Sequence, residues 1–454
     1  MRSLQSLFQK DDEQEYERLN EHPPPLLRPS SSDESDNAVP FSWLEYAIFA
    51  LLGMTMLWAW NMFLAAAPYF QARFQADEWV LQNFQSTIVV VSTTTNLGAM
   101  GLMTYIQSGV SYPLRVNLAL YVNVVMFVLL TASTKVFLDA SPAAYLGFVL
   151  LVVVGTSLAA GLLQNGAFAI TASFGRPEYM QAIMAGQGVS GVLPPIAQIV
   201  SVLLASPELP ASVKPRDVDR DEGNVAFIYF STAVVVSVMA ILGFAPLMKR
   251  CNEVAQHHRA EHITESSGLH EARDSSRKSV SVLVLFKKLR WAAAAIFMCF
   301  VIAMFFPVLT PKIESVASAS EAGALQRPAA FVPLAFFFWN LGDLTGRGSA
   351  LSLPFRGHPA LLFAFSIARV MFLPLYTLCN IHGRGAIVPS DLFYLVFVQF
   401  PYGYTNGWLA STCMMSVGYL VDESERAVAG GLMALCLMTG LTVGSVMSFS
   451  VARV

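Results

Sequence analysis

Eleven long apolar runs limit what this chain can become. They lie near residues 43–68, 84–106, 115–136, 143–172, 179–204, 225–247, 290–309, 329–350, 359–380, 388–416 and 427–451. Crossing a hydrocarbon layer of about 30 Å takes about 20 apolar residues as a helix. Each run reaches that length and lacks the ten-residue alternation of a membrane barrel strand. With no water to pair the backbone, a helix is the conformation left. The composition agrees: the 454 residues are 55% hydrophobic and 13% charged, with a mean hydropathy of +0.53. That is more apolar surface than a soluble core hides. The expected fold is an all-α membrane protein with eleven transmembrane helices.

The longest polar stretch between runs, 248–289, divides them six and five. It is basic, with Lys249, Arg250, Arg259, Arg273, Arg277, Lys278, Lys287 and Lys288. The expected organisation is a tail over 1–42, a six-helix bundle over 43–247, a cytosolic linker over 248–289 and a five-helix bundle over 290–454. Two bundles with a site between them near the midplane is a recurrent transporter plan. Placing the N-terminus in the cytosol puts most of the 28 Lys and Arg on the cytosolic side, as the positive-inside rule requires. The tail, with DDEQEYE, HPPP and SSSDESD, is too polar to bury a core and is expected to be disordered.

Several functions are excluded at this level. A net charge of −3 leaves no basic face for nucleic acid. The cysteines, Cys251, Cys299, Cys379, Cys413 and Cys436, show no CxxC spacing and read as thiols rather than a disulfide framework or zinc site. No P-loop, HExxH, GxSxG or GxGxxG motif occurs, so neither an enzyme, a cofactor, a metal nor ATP-driven pumping by this chain is expected.

The most informative segment is FFFWNLGDLTGR, 336–347, which sets Asp343 and Arg347 one turn apart on a helix. A charge at the bilayer centre costs about 2.5–3.5 kcal/mol on insertion scales, so both must face a partner or a watery cavity. A carboxylate and a guanidinium fork together suit a polyol such as ribose. The same spacing also suits a pair that neutralises itself and serves assembly. In WAWNMFLAAAPYF, 58–70, Trp60 can stack on a flat base or pack among helices. In LLQNGAF, Gln164 and Asn165 can pair with the edge of a base or bond between helices. Gly186, Gly188 and Gly191 allow close helix contact, and Pro194 and Pro195 are expected to kink or locally unwind their helix. Arg369 is a second intramembrane cation, able to pair with an acid, snorkel or cap carbonyls.

These motifs resemble the equilibrative nucleoside transporter family: WNMFLAAAPYF, LLQNGAF, AGQGVSG, FFFWNLGDLTGR, ARVMFLPLYTLCN, TNGWLASTCMM and AGGLMALCLMTGL, in family order across residues 43–451. The resemblance implies a major-facilitator-like fold of six plus five helices. It implies facilitated, alternating-access transport of nucleosides such as adenosine and uridine, and in some members nucleobases. Carried over, Trp60 and Leu64 line the base end, Gln164 bonds the base, and Asp343 and Arg347 hold the ribose hydroxyls with Asn340 nearby. Ala59 stands where the family often has Pro, and Leu64 where many members have Met. Leu26 and Leu27 follow Glu21, but His22 stands where an acidic dileucine signal has its acid; the resemblance to intracellular members, with a long acidic tail and a short first external loop over 71–83, leans toward a vacuolar or lysosomal membrane, a plasma-membrane home staying open. The chain is expected to act as a monomer. Two alternatives stand beside equilibrative transport: proton-coupled uptake through Asp343 or Glu45, and a non-transporting regulator of the battenin-like type.

Overall fold

The computed structural model describes residues 40–452 except 107–110, 137, 205–214, 267–281, 319–321 and 354. Residues 1–39 of the tail expected to be disordered lie outside the described residues, as do 267–281 of the linker and the side chain of Leu64. The longer helices are, in order, α1 (Trp43–Ala65), α2 (Ala67–Phe74), α3 (Glu78–Tyr105), α4 (Tyr112–Val136), α5 (Pro142–Ser173), α6 (Pro177–Leu204), α7 (Pro215–Ser266), α8 (Val282–Ala303), α9 (Pro328–Ser349), α10 (Pro359–Ala368), α11 (Phe400–Met415) and α12 (Arg426–Ala452). Every apolar run is helical.

Local chemistry sets the boundaries. The first run breaks at Ala66, where Pro68 opens α2 without an N–H to give back. The Asp77 side chain accepts from the Val80 amide at 3.1 Å, so α3 starts at Glu78, ahead of the apolar run. Two expectations shift. The helix that ends the N-terminal half continues to Ser266, into the stretch read as a loop; residues 248–266 hold no Gly or Pro to stop it. The ninth run breaks up after Ala368 into 3₁₀ turns and a short α turn reaching Leu378.

Among the described residues, nine helical runs are long and apolar enough to cross a membrane. The two that fall short are α9, diluted by Asn340, Asp343 and Arg347, and the run ending in α11, diluted by Gln399, Thr405 and Asn406. These two pack along each other. Glycines let them do so at backbone distance. A Cβ on Gly342 would lie 2.2 Å from the Phe400 carbonyl oxygen, and one on Gly407 would lie 1.9 Å from that of Asp343. The polar helices thus hide their polar faces against one another, away from lipid.

Helix α6 lies between the halves, packing along both α1 and α9. A Cβ on Gly186 would meet the Ala50 carbonyl at 1.9 Å, and one on Gly53 would meet that of Ile183 at 2.0 Å. Small residues of this kind let membrane helices associate by van der Waals contact where no hydrophobic drive exists. The N-terminal helices meet the C-terminal ones along α6–α9, α5–α12 and α3–α12. Each half has an aromatic core, around Phe63, Phe70, Phe127 and Phe230 in the first and Phe331, Tyr376, Tyr394 and Tyr402 in the second.

Candidate functional site

The two charges of α9 anchor a buried chain of polar groups. Asp343 and Arg347 are each 4% exposed. Arg347 Nε donates to Asp343 Oδ2 at 2.6 Å. The other carboxylate oxygen, Oδ1, accepts from Asn406 Nδ2 of α11 at 2.7 Å. Asn406 Oδ1 in turn accepts from Cys299 Sγ at 3.4 Å. Beyond Cys299 stands Arg369, which donates to the Cys299 carbonyl at 2.6 Å and the Tyr402 carbonyl at 3.4 Å, with its guanidinium 5.2 Å from the Tyr402 ring centre. Of the three possibilities open for Arg369, capping carbonyls is the one realised.

Arg347 also crosses between the halves. Its Nη1 donates to the Met184 carbonyl at 2.9 Å and to Gln187 Oε1 at 3.1 Å, both on α6. Gln181 of the same helix caps the end of α9, donating to the Gly348 carbonyl at 2.6 Å. Where α1 and α6 begin, the Tyr179 hydroxyl accepts from the Ser42 amide at 2.9 Å and donates to Glu45. In the turn before α6, Gly175 has a φ of +67°, and a Cβ there would lie 2.5 Å from Arg426 Nη1 of the C-terminal half. This end of the molecule is closed by bonds between the halves.

Toward the other end lies a cavity of about 370 Å³, lined by Asn61, Gly191, Pro194, Pro195, Gln198, Phe306, Val332, Phe336 and Asn340. Its walls come from both halves, and its size suits a small organic ligand, for which sites run to roughly 300–1,000 Å³. The prolines of α6 line it without unwinding: the helix runs unbroken from Pro177 to Leu204. The reason for one of them is visible. Pro194 has no N–H for the Ser190 carbonyl, and Asn61 Nδ2 fills the gap, donating to that oxygen at 2.6 Å.

The residues singled out from sequence are distributed as follows. Asn340 lines the cavity, its Nδ2 spent on the Phe336 carbonyl at 2.8 Å. Asp343 and Arg347 lie one and two turns farther along α9, toward the closed end. Gln164 is 5% exposed, and its amide makes no hydrogen bond among the described residues. Its neighbour Asn165 differs: its Oδ1 accepts from the buried Arg115 at 2.5 Å, which also caps the Ile106 carbonyl at the end of α3. Trp60 is half-buried against the core of the N-terminal half and is not among the residues lining the cavity. Sequence reasoning assigned no role to Asn61 or Asn406 and passed over Gln181, Gln187 and Arg115. The proline four residues after Ser190 was a legible sign that a donor was needed; its source was not.

Comparisons with known proteins add the following. The family model described as nucleoside transporter matches residues 149–453. The nucleoside transporter FUN26 of Saccharomyces cerevisiae is 28% identical, over 89% of this chain and 83% of its own length. Equilibrative nucleoside transporter 1 of Homo sapiens is 26% identical, over 90% and 96%. Among solved structures, the E. coli fucose:proton symporter FucP aligns with a TM-score of 0.53 at 14% identity, over 89% of this chain and 91% of that one. The proton:xylose symporter XylE aligns at 0.54 and 12%, over 88% and 87%. The symporters share only the fold, which is that of the major facilitator superfamily. The family model covers two-thirds of the chain, through the helices that carry Gln164, Asp343 and Arg347, and this chain belongs to the nucleoside transporter family.

Proposed function

We propose that this chain is a facilitated carrier that moves nucleosides down their gradients by alternating access through the cleft between its halves. The observation that carries this reading is Arg347. It neutralises Asp343 on its own helix and at the same time bonds α6 of the opposite half. A group in that position feels both the substrate in the cleft and the contact that must break for the cleft to open on the other side. Ligand hydroxyls that compete for Arg347 and Asp343 loosen the closed end, which couples occupancy to the conformational change.

In this reading Asp343 and Arg347 hold the ribose hydroxyls, with Asn340 nearby, one turn nearer the cavity. Gln164, whose amide is buried and unengaged, bonds the base. Trp60 and Leu64 shape the base end. Adenosine and uridine are the representative cargo. The working division is a tail over 1–42, bundles over 43–247 and 290–454, and a linker over 248–289, in a monomer with a cytosolic N-terminus. A vacuolar or lysosomal membrane is the favoured site, on the strength of the long acidic tail. The test is uptake by the purified protein in vesicles against a panel of nucleosides, nucleobases and nucleotides. Saturable uptake of nucleosides, competed by other nucleosides and not by nucleotides, supports the reading; uptake indifferent to nucleosides overturns it.

A further inference from the structure

The two prolines of α6 do different things. In a helix, the carbonyl of residue 191 accepts from the N–H of residue 195, or from that of residue 194 if the turn tightens. Both positions are proline, and proline has no N–H. The Gly191 carbonyl therefore has neither donor, and among the described residues no side chain donates to it. Ser190 suffers the same loss from Pro194 but is repaired by Asn61. Gly191 is left unrepaired, and it is a wall residue of the cavity. A glycine lines a cavity only with backbone atoms, and here those atoms belong to a residue whose carbonyl has lost its helix donors. A Cβ at this position would lie 2.5 Å from Asn340 Oδ1, so the Asn340 amide packs directly against the Gly191 backbone.

The neighbouring polar groups have the same sense. Asn340 spends its Nδ2 on the Phe336 carbonyl and Asn61 spends its own on Ser190, which leaves the Oδ1 of each as the free end. Both residues line the cavity beside Gly191. This stretch of wall presents acceptors: a backbone carbonyl and two amide oxygens. It complements a ligand edge that donates.

We propose that the Gly191 carbonyl is a specificity-determining acceptor that reads the exocyclic amine of an amino-bearing nucleobase. The inference rests on the reading above, in which the sugar lies at Asp343 and Arg347. Gly191 lies at the level of Asn340, one turn nearer the cavity, where the base of such a ligand would be. An unmade bond to an acceptor that the bound ligand screens from water is the kind of loss that discriminates between otherwise identical ligands.

The test uses the purified full chain and two ligands that differ only in the amine, adenosine and purine riboside, in an equilibrium competition assay. Wild type is expected to favour adenosine by about tenfold. Pro195→Ala restores an N–H to the Gly191 carbonyl and is expected to bring the ratio close to one. Pro195→Ala removes a helix breaker, so loss of folding is not expected; melting in the same preparation checks this. Pro246→Ala in α7, also a proline inside a helix, is expected to leave the ratio unchanged. The proposal is overturned by a wild-type ratio near one, by equal loss of both ligands in Pro195→Ala, or by a ratio that Pro246→Ala shifts as much. Failure of the underlying reading looks different: neither ligand binds, or Asp343→Ala leaves both affinities unchanged.

Discussion

Replacing Asp343 by Ala removes one member of a buried pair, and its cost can be worked from the contacts. Arg347 is 4% exposed, and its remaining partners, the Met184 carbonyl and Gln187 Oε1, are neutral. An uncompensated buried charge of this kind costs about 3–5 kcal/mol. Asn406 Nδ2 also loses the acceptor it holds at 2.7 Å, which adds about 1–3 kcal/mol if no water replaces it. Removing both charges behaves otherwise. Asp343→Leu with Arg347→Met replaces the pair by apolar groups of similar volume, a change that is often neutral or stabilising. The expected result is a large fall in melting temperature for the single variant, recovery in the double variant, and no nucleoside uptake in either. Melting in detergent and uptake in vesicles measure the two quantities separately. A single variant that melts like wild type would refute the charge argument. A double variant that transports would refute the assignment of the pair to the substrate.

Further outcomes follow from particular contacts. Gly407→Ala puts a Cβ 1.9 Å from the Asp343 carbonyl and should destabilise by about 1–3 kcal/mol or more, whereas Gly348→Ala, with open space around it, should be silent in the same melting assay. Asn61→Ala leaves the Ser190 carbonyl unpaired and should cost about 1 kcal/mol. Adding Pro194→Ala, which returns a helix donor to that carbonyl, should recover most of it; simple additivity in a double-mutant cycle would contradict the repair described above. Gln164→Leu breaks no hydrogen bond among the described residues, so melting should hold while the KM for nucleosides rises severalfold. Unchanged uptake kinetics would remove Gln164 from the site.

The membrane fold was readable because its signal is local: a run of apolar residues long enough to cross a bilayer is written in one stretch of chain. The Asp343–Arg347 pair was readable for the same reason, since four residues along a helix fix a shared face. What escaped was everything set by helices far apart in sequence. Nothing near Asn406 announces that it holds Asp343, and nothing near Gln187 announces Arg347. Asn61 was seen in its motif, but its partner lies on α6, across a gap left by Pro194. The extension of α7 to Ser266 was missed for a different reason: polarity was read as loop, although residues 248–266 carry no helix breaker. The role of Arg369 stayed open because three partners fit its chemistry and only the packing of α8 and α11 around it selects among them.

The most direct test of the central claim is uptake of labelled adenosine or uridine into vesicles holding the purified chain, with and without an imposed pH gradient. A facilitated carrier fills the vesicles until inside and outside concentrations match, at a rate that saturates, and the pH gradient leaves that end point where it is. Accumulation above the outside concentration when the gradient is applied would make the chain a proton-coupled carrier, and the absence of saturable uptake under both conditions would contradict transport itself.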